Sequence, residues 1–249
     1  MFRGDLDVLD EVLKNNCQFF DAVYALDGSC WGKPKQIIEK HKNIVFYVRD
    51  VHLPPEYKPI RDGARQFLLQ KIQKDHPDGG WITLLHSDEI FLDVNPRDVA
   101  EESAKEGFGV VGWRLVNFFL HISEKNTYKY DESKSVVDQV TWACFPGWVE
   151  LRQFRYDSRT KYNIRNHFCT IPTNCGETRL TSYPLRHYLY RSPEQMRNNA
   201  EDRINRGWQT YGKWMNDSPV FVDCLPCYTR AVKVGRRKIL NGDSGVLND

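Results

Sequence analysis

No run of apolar residues in this 249-residue chain approaches the roughly 18–20 needed to cross a bilayer. The opening Met1-Phe2-Arg3-Gly4-Asp5 has no apolar leader of the signal-peptide type. These absences predict a cytoplasmic chain without a transmembrane segment. An excess of one charge sign is missing too. The formal net charge is +2, which argues against a strongly electrostatic nucleic-acid or membrane binder. The seven cysteines are scattered and odd in number, which argues against a disulfide framework. Cys224-Leu-Pro-Cys227 has zinc-knuckle spacing but no second Cys/His pair nearby in sequence. Internal repeats and low-complexity segments are absent as well.

What remains is the composition of a globular enzyme: 41% hydrophobic, 27% charged and 13% aromatic residues. The length fits one domain, or one domain with an extension. Through residue 120 the pattern alternates between helix and strand. Residues 6–16, 34–41, 60–74 and 96–105 read as helices, and 22–26, 44–48, 80–85 and 108–120 as strands, the last with a bend at Trp113. Such alternation predicts βαβ units and a mostly parallel central sheet flanked by helices, a Rossmann-like α/β fold. After residue 121 the regularity breaks into short pieces dense in Trp, Tyr, Phe and Arg. Ser192-Pro193-Glu194-Gln195 then reads as a capping box opening a helix to about residue 206. We read residues 1–249 as a single domain with a regular α/β half (1–120), an irregular aromatic-rich half (121–215) and a C-terminal extension (216–249).

The most informative stretch is residues 80–91, an apolar run that ends in His86-Ser87-Asp88-Glu89. In open α/β sheets ligands bind beyond the carboxyl ends of the strands. A histidine and two carboxylates there are suited to a hard cation and, through it, to phosphate oxygens. The alternative is a solvated strand end. Asp27-Gly28-Ser29 closes an earlier strand and could accept from a base or ribose, or be a plain turn. Arg61 and Arg65 open a helix, where guanidinium and orphan amides together suit a diphosphate. His187, on an extended piece before the capped helix, could reach back to a metal held by Asp88, although a lone histidine is more often a structural hydrogen-bonder.

Together these elements closely resemble family-2-type glycosyltransferases of the GT-A fold, over roughly residues 3–206. The matching elements are Leu26-Asp27-Gly28-Ser29, the Arg-bearing helix 61–69, His86-Ser87-Asp88-Glu89-Ile90-Phe91, Arg152-Gln153-Phe154-Arg155 and, most specifically, residues 186–195. His86 stands where the family has the first acid of its metal motif. Phe2-Arg3-Gly4-Asp5 looks like the tail of the turn after the family's first strand, which puts Arg3 near the donor. That strand would then be lost, trimmed or replaced by another segment.

The resemblance implies metal-dependent sugar transfer from a nucleotide-diphosphate donor to a glycan or other hydroxyl acceptor, with inversion. Asp88 and His187 would hold Mn²⁺ or Mg²⁺, and Arg3, Asp27, Arg61, Arg65 and His86 would contact the donor. The base would lie downstream among Asp138, Glu150, Asp157, His167 and Glu177, with Glu150 preferred for its place beside Trp148 in an aromatic stretch. Trp142 or Trp148 is expected to line the acceptor side. Two rival readings are a nucleotidyltransferase and a degenerate, non-catalytic interaction module.

Overall fold

The computed structural model describes residues 5–28, 34–57, 61–145, 149–163, 171–205 and 231–239. The chain runs α1 (Leu6–Asn16), β1 (Val23–Asp27), α2 (Pro34–Ile38), β2 (Ile44–Arg49), α3 (Arg61–Asp75), β3 (Gly80–Thr83), β4 (Glu89–Ile90) and α4 (Pro96–Lys105). It continues with β5 (Phe108–Phe119), α5 (Val136–Gln139), β6 (Trp142–Cys144), β7 (Glu150–Tyr156), β8 (Glu177–His187), α6 (Pro193–Asn205) and β9 (Val232–Lys233).

A Rossmann-like, mostly parallel central sheet was expected, and the structure corrects it. Two sheets are present among the described residues: a parallel pair β1–β2, and a mixed seven-stranded sheet containing β3 to β9. Within the larger sheet only β5–β8 is parallel, while β3–β7, β4–β8, β5–β6, β5–β7 and β6–β9 run antiparallel. The physical reason for the error lies in β5. All but the first of its residues are buried, so its sequence reads as a strand covered on both faces. Coverage of both faces says nothing of strand direction. The run 80–91 is corrected as well. Its ladder to β7 stops at Thr83, and the backbone re-enters the sheet only for Glu89 and Ile90.

The helices follow the sequence closely. α1 carries Asp7 in its first turn and Lys14 in its last, matching the helix dipole. Its Val8 and Val12 pack with Ile90, Val116 and Phe118 of the large sheet, whereas Leu9 packs with Ala25 and Ile38 beside the small one. At the C-terminal end of α1, Asn16 Nδ2 donates to the Glu89 carbonyl (2.7 Å) and Oδ1 accepts from Phe91 N (2.9 Å), fixing β4 as a strand neighbour would. α4 has its Asn95 side chain accepting from Arg97 N, with Pro96 at the first turn. Ser192 Oγ caps α6 at Gln195 N (3.0 Å). β5 closely approaches the segment leading into β8 at Gly109, where a Cβ would lie 1.7 Å from the Cys175 carbonyl oxygen. Among the described residues no helix is long and apolar enough to cross a membrane.

Candidate functional site

The site forms where the chain leaves β3 and returns as β4. After Leu84, whose N–H still donates to the Arg152 carbonyl (2.7 Å), the backbone departs from the ladder, and Glu89 then pairs with His187 across β4 and β8. Tyr188 N donates to the Asp88 carbonyl (2.8 Å), continuing that pairing by one bond. Consequently the tip after β3 and the end of β8 are held together by main chain before any side chain acts.

Ligand atoms of His86, Asp88 and Glu89 lie within 4.8 Å of one another, a spacing that suits one cation. Each of the three is also engaged by protein. Glu89 is fully buried, accepts from Arg152 Nη2 (2.6 Å) and from the His86 amide (2.9 Å), and lies 3.1 Å from His86 Nδ1. Burial raises its carboxyl, but Arg152 and His86 more than reverse this and hold it far below the usual carboxylate range. Asp88 Oδ2 lies 3.3 Å from His187 Nε2. Burial raises the Asp88 carboxyl too, yet His187 and Arg191 outweigh it and leave it lowered. Burial alone would lower the His187 imidazole; the Asp88 charge turns that into a net rise. The other His187 ring nitrogen, Nδ1, pairs with Asn117 Oδ1 at 2.8 Å.

A second buried layer supports this one. Arg191 donates to Asp5 Oδ1 (2.8 Å), to both carboxylate oxygens of Asp7 and to the Tyr188 carbonyl. Asp5 Oδ2 accepts from Ser87 Oγ at 2.6 Å, tying the start of α1 to the residue before Asp88. Burial pushes the Asp5 carboxyl up, with Arg191 opposing and the nearby Asp88 charge adding to the rise.

The structure therefore brings together His86, Asp88 and His187 from the sequence-based set. Glu150 stands one side chain away: its Oε2 lies 2.9 Å from Arg152 Nη2, so Arg152 bridges Glu150 and Glu89. Arg65 and His86 border one cavity. Asp27 ends β1 of the small sheet. It is buried, accepts from Tyr47 Oη (2.7 Å) and has Arg49 Nε at 3.4 Å. Other proposed bases have structural partners, Asp138 with Arg236 and Asp157 with Arg159, while Glu177 is exposed at the start of β8. Tyr156, Tyr162 and Tyr188, from the aromatic-rich second half, are buried in the core and serve packing. Trp142 pairs with Phe119, donates to Glu124 Oε1 and stacks on His121 with centroids 3.8 Å apart. Arg3, His167, Trp148, Cys224 and Cys227 lie outside the described residues, as does the side chain of Arg61.

Sequence reasoning passed over Asn117 and the roles of Arg191, Asp5 and Asp7. The acids opening α1 read as ordinary helix-dipole partners, and nothing local signals that they meet an arginine at the far end of the chain. Neither a scan against protein-family models nor a search of curated proteins finds a match for this chain.

Proposed function

We propose that this protein is a divalent-cation-dependent glycosyltransferase, moving a sugar from a nucleotide-diphosphate donor to an acceptor hydroxyl in the cytoplasm. The observation that carries the reading is the convergence of His86, Asp88 and Glu89 at spacing suited to one cation, with His187 against Asp88. The resemblance of residues 186–195 to the family-2-type enzymes supports it from the sequence side.

In this reading Asp88, with His187 or His86, would hold Mn²⁺ or Mg²⁺, which would neutralise the leaving diphosphate. Imidazole in the ligand set favours Mn²⁺, because Mg²⁺ prefers an all-oxygen shell. Protein groups would do the rest. Arg65, on the cavity that His86 also borders, would reach the diphosphate. Glu150, half-exposed and held by Arg152, would accept the acceptor's proton at a carboxylate oxygen.

One observation favours a non-catalytic interaction module instead. Glu89 and Asp88 already face Arg152 and His187, so the cluster is internally neutralised. Thermal unfolding with Mn²⁺ and a panel of UDP, GDP and UMP separates the two. The transferase reading expects a rise of roughly 5–10 °C with metal plus one nucleoside diphosphate at about a hundredfold excess over Kd. Silence toward every nucleotide supports the module.

A further inference from the structure

His187 has a side-chain oxygen on each side of its ring. Nε2 lies 3.3 Å from Asp88 Oδ2, and Nδ1 lies 2.8 Å from Asn117 Oδ1. A neutral imidazole carries one proton, and only the nitrogen without it can ligate a cation. Which nitrogen that is follows from the hydrogen bond made by the other. The shorter contact, to Asn117, keeps the proton on Nδ1. Nε2 then turns its lone pair toward the Asp88 carboxylate. Two electron-rich groups facing each other repel, and a cation between them relieves the repulsion.

The position of Asn117 supports the same role. It sits in β5 directly opposite His187 of β8, and on the other side opposite Cys144 of β6. Its chain neighbours Val116 and Phe118 are fully buried. Asparagine is depleted from strands, and a buried amide is costly unless it is hydrogen-bonded. An apolar residue would suit the strand better, so the amide is accounted for by the ring it meets. On the opposite side Asp88 is tied to β8 by the Tyr188 N–H. The ring is therefore held between two oxygens that the sheet itself fixes in place.

We propose that Asn117 is a positioning residue whose side-chain oxygen fixes His187 as the Nδ1–H tautomer. Nε2 is thereby the nitrogen presented, together with Asp88, to a divalent cation. The cation's part rests on the transferase reading; the tautomer does not.

The test compares the full chain with Asn117→Leu, which removes the acceptor at similar volume, and Asn117→Asp, which keeps an acceptor oxygen. Long-range proton–nitrogen NMR correlations of the His187 ring read the tautomer in the metal-free protein, at a pH where the ring is neutral. Titration with Mn²⁺ alone, followed by the paramagnetic resonance of the free ion, reads affinity. The parent chain and Asn117→Asp should show Nδ1–H, and Asn117→Leu should lose that preference. Mn²⁺ affinity should fall about 10–100-fold in Asn117→Leu and stay close to the parent value in Asn117→Asp. A parent ring protonated on Nε2 overturns the proposal, as does equal loss of affinity in the two variants, which would assign Asn117 to packing. If Asn117→Leu does not fold, the parent spectrum and Asn117→Asp still decide. A parent chain with the Nδ1–H ring but no Mn²⁺ binding would refute the transferase reading while upholding the tautomer assignment.

Discussion

His187 Nε2 faces Asp88 Oδ2 at 3.3 Å, and the two residues are locked in register by the Tyr188 N–H donating to the Asp88 carbonyl. The ring is fixed from its other side by Asn117. The contact is therefore built into the sheet. Its position beside His86 and Glu89 gives the cluster a buried imidazole facing a carboxylate whose charge is favoured.

That pair predicts a pH profile for stability. The His187 imidazole is raised above its usual 6.5, chiefly by Asp88 against the opposing effect of burial. Its contribution is complete below pH 6.5 and is lost as pH rises through the folded-state value. The Asp88 carboxyl is lowered from 3.8, so its contribution is present above pH 3.8 and lost as pH falls through its folded value. Denaturant unfolding of the metal-free protein should show the pair's contribution greatest between these limits. In His187→Gln the decline on the basic side should flatten; an unchanged alkaline limb would show that the pair does not set it.

Arg152 holds the buried Glu89 carboxylate and the half-exposed Glu150 at once. Removing one partner of a buried pair leaves an uncompensated charge and costs about 3–5 kcal/mol. Arg152→Ala should lose stability in that range, and Glu150→Gln should lose under about 1 kcal/mol because its side chain is screened by solvent. Equal losses from the two variants would contradict this division.

Gly109 lets β5 pass against the segment that leads into β8, since a Cβ there would fall 1.7 Å from the Cys175 carbonyl oxygen. The obstacle is backbone, so relief requires the strands to part. Gly109→Ala should cost at least about 1–3 kcal/mol, as overpacking does. Gly107→Ala meets nothing within 4 Å but sits at φ +87°, so its smaller penalty should come from backbone strain alone. Urea midpoints of the two variants give the comparison.

The sequence revealed the helices more readily than the sheet. α1 and α4 have the bounds that periodicity and capping residues indicate, because those signals are local. Strand direction is not local. The long apolar β5 looks the same whether its partners run parallel or antiparallel, and its partners lie on β6, β7 and β8. The site was legible where chemistry concentrates in a few adjacent positions, as at residues 86–89. Asp5, Asp7 and Arg191 were not, because burial rather than residue type gives them their role.

The proposed function requires a divalent cation at the His86–Asp88–Glu89 cluster that carries a nucleoside diphosphate. The most direct measurement is electron paramagnetic resonance of Mn²⁺ titrated into the protein with UDP or GDP, for the parent chain and Asp88→Asn. The account predicts a stoichiometric bound signal with nitrogen coupling from a histidine, lost in Asp88→Asn while the melting temperature moves by only a few degrees. Bound Mn²⁺ of undiminished affinity in the folded Asp88→Asn variant would contradict it, as would no bound signal in the parent chain with any nucleotide.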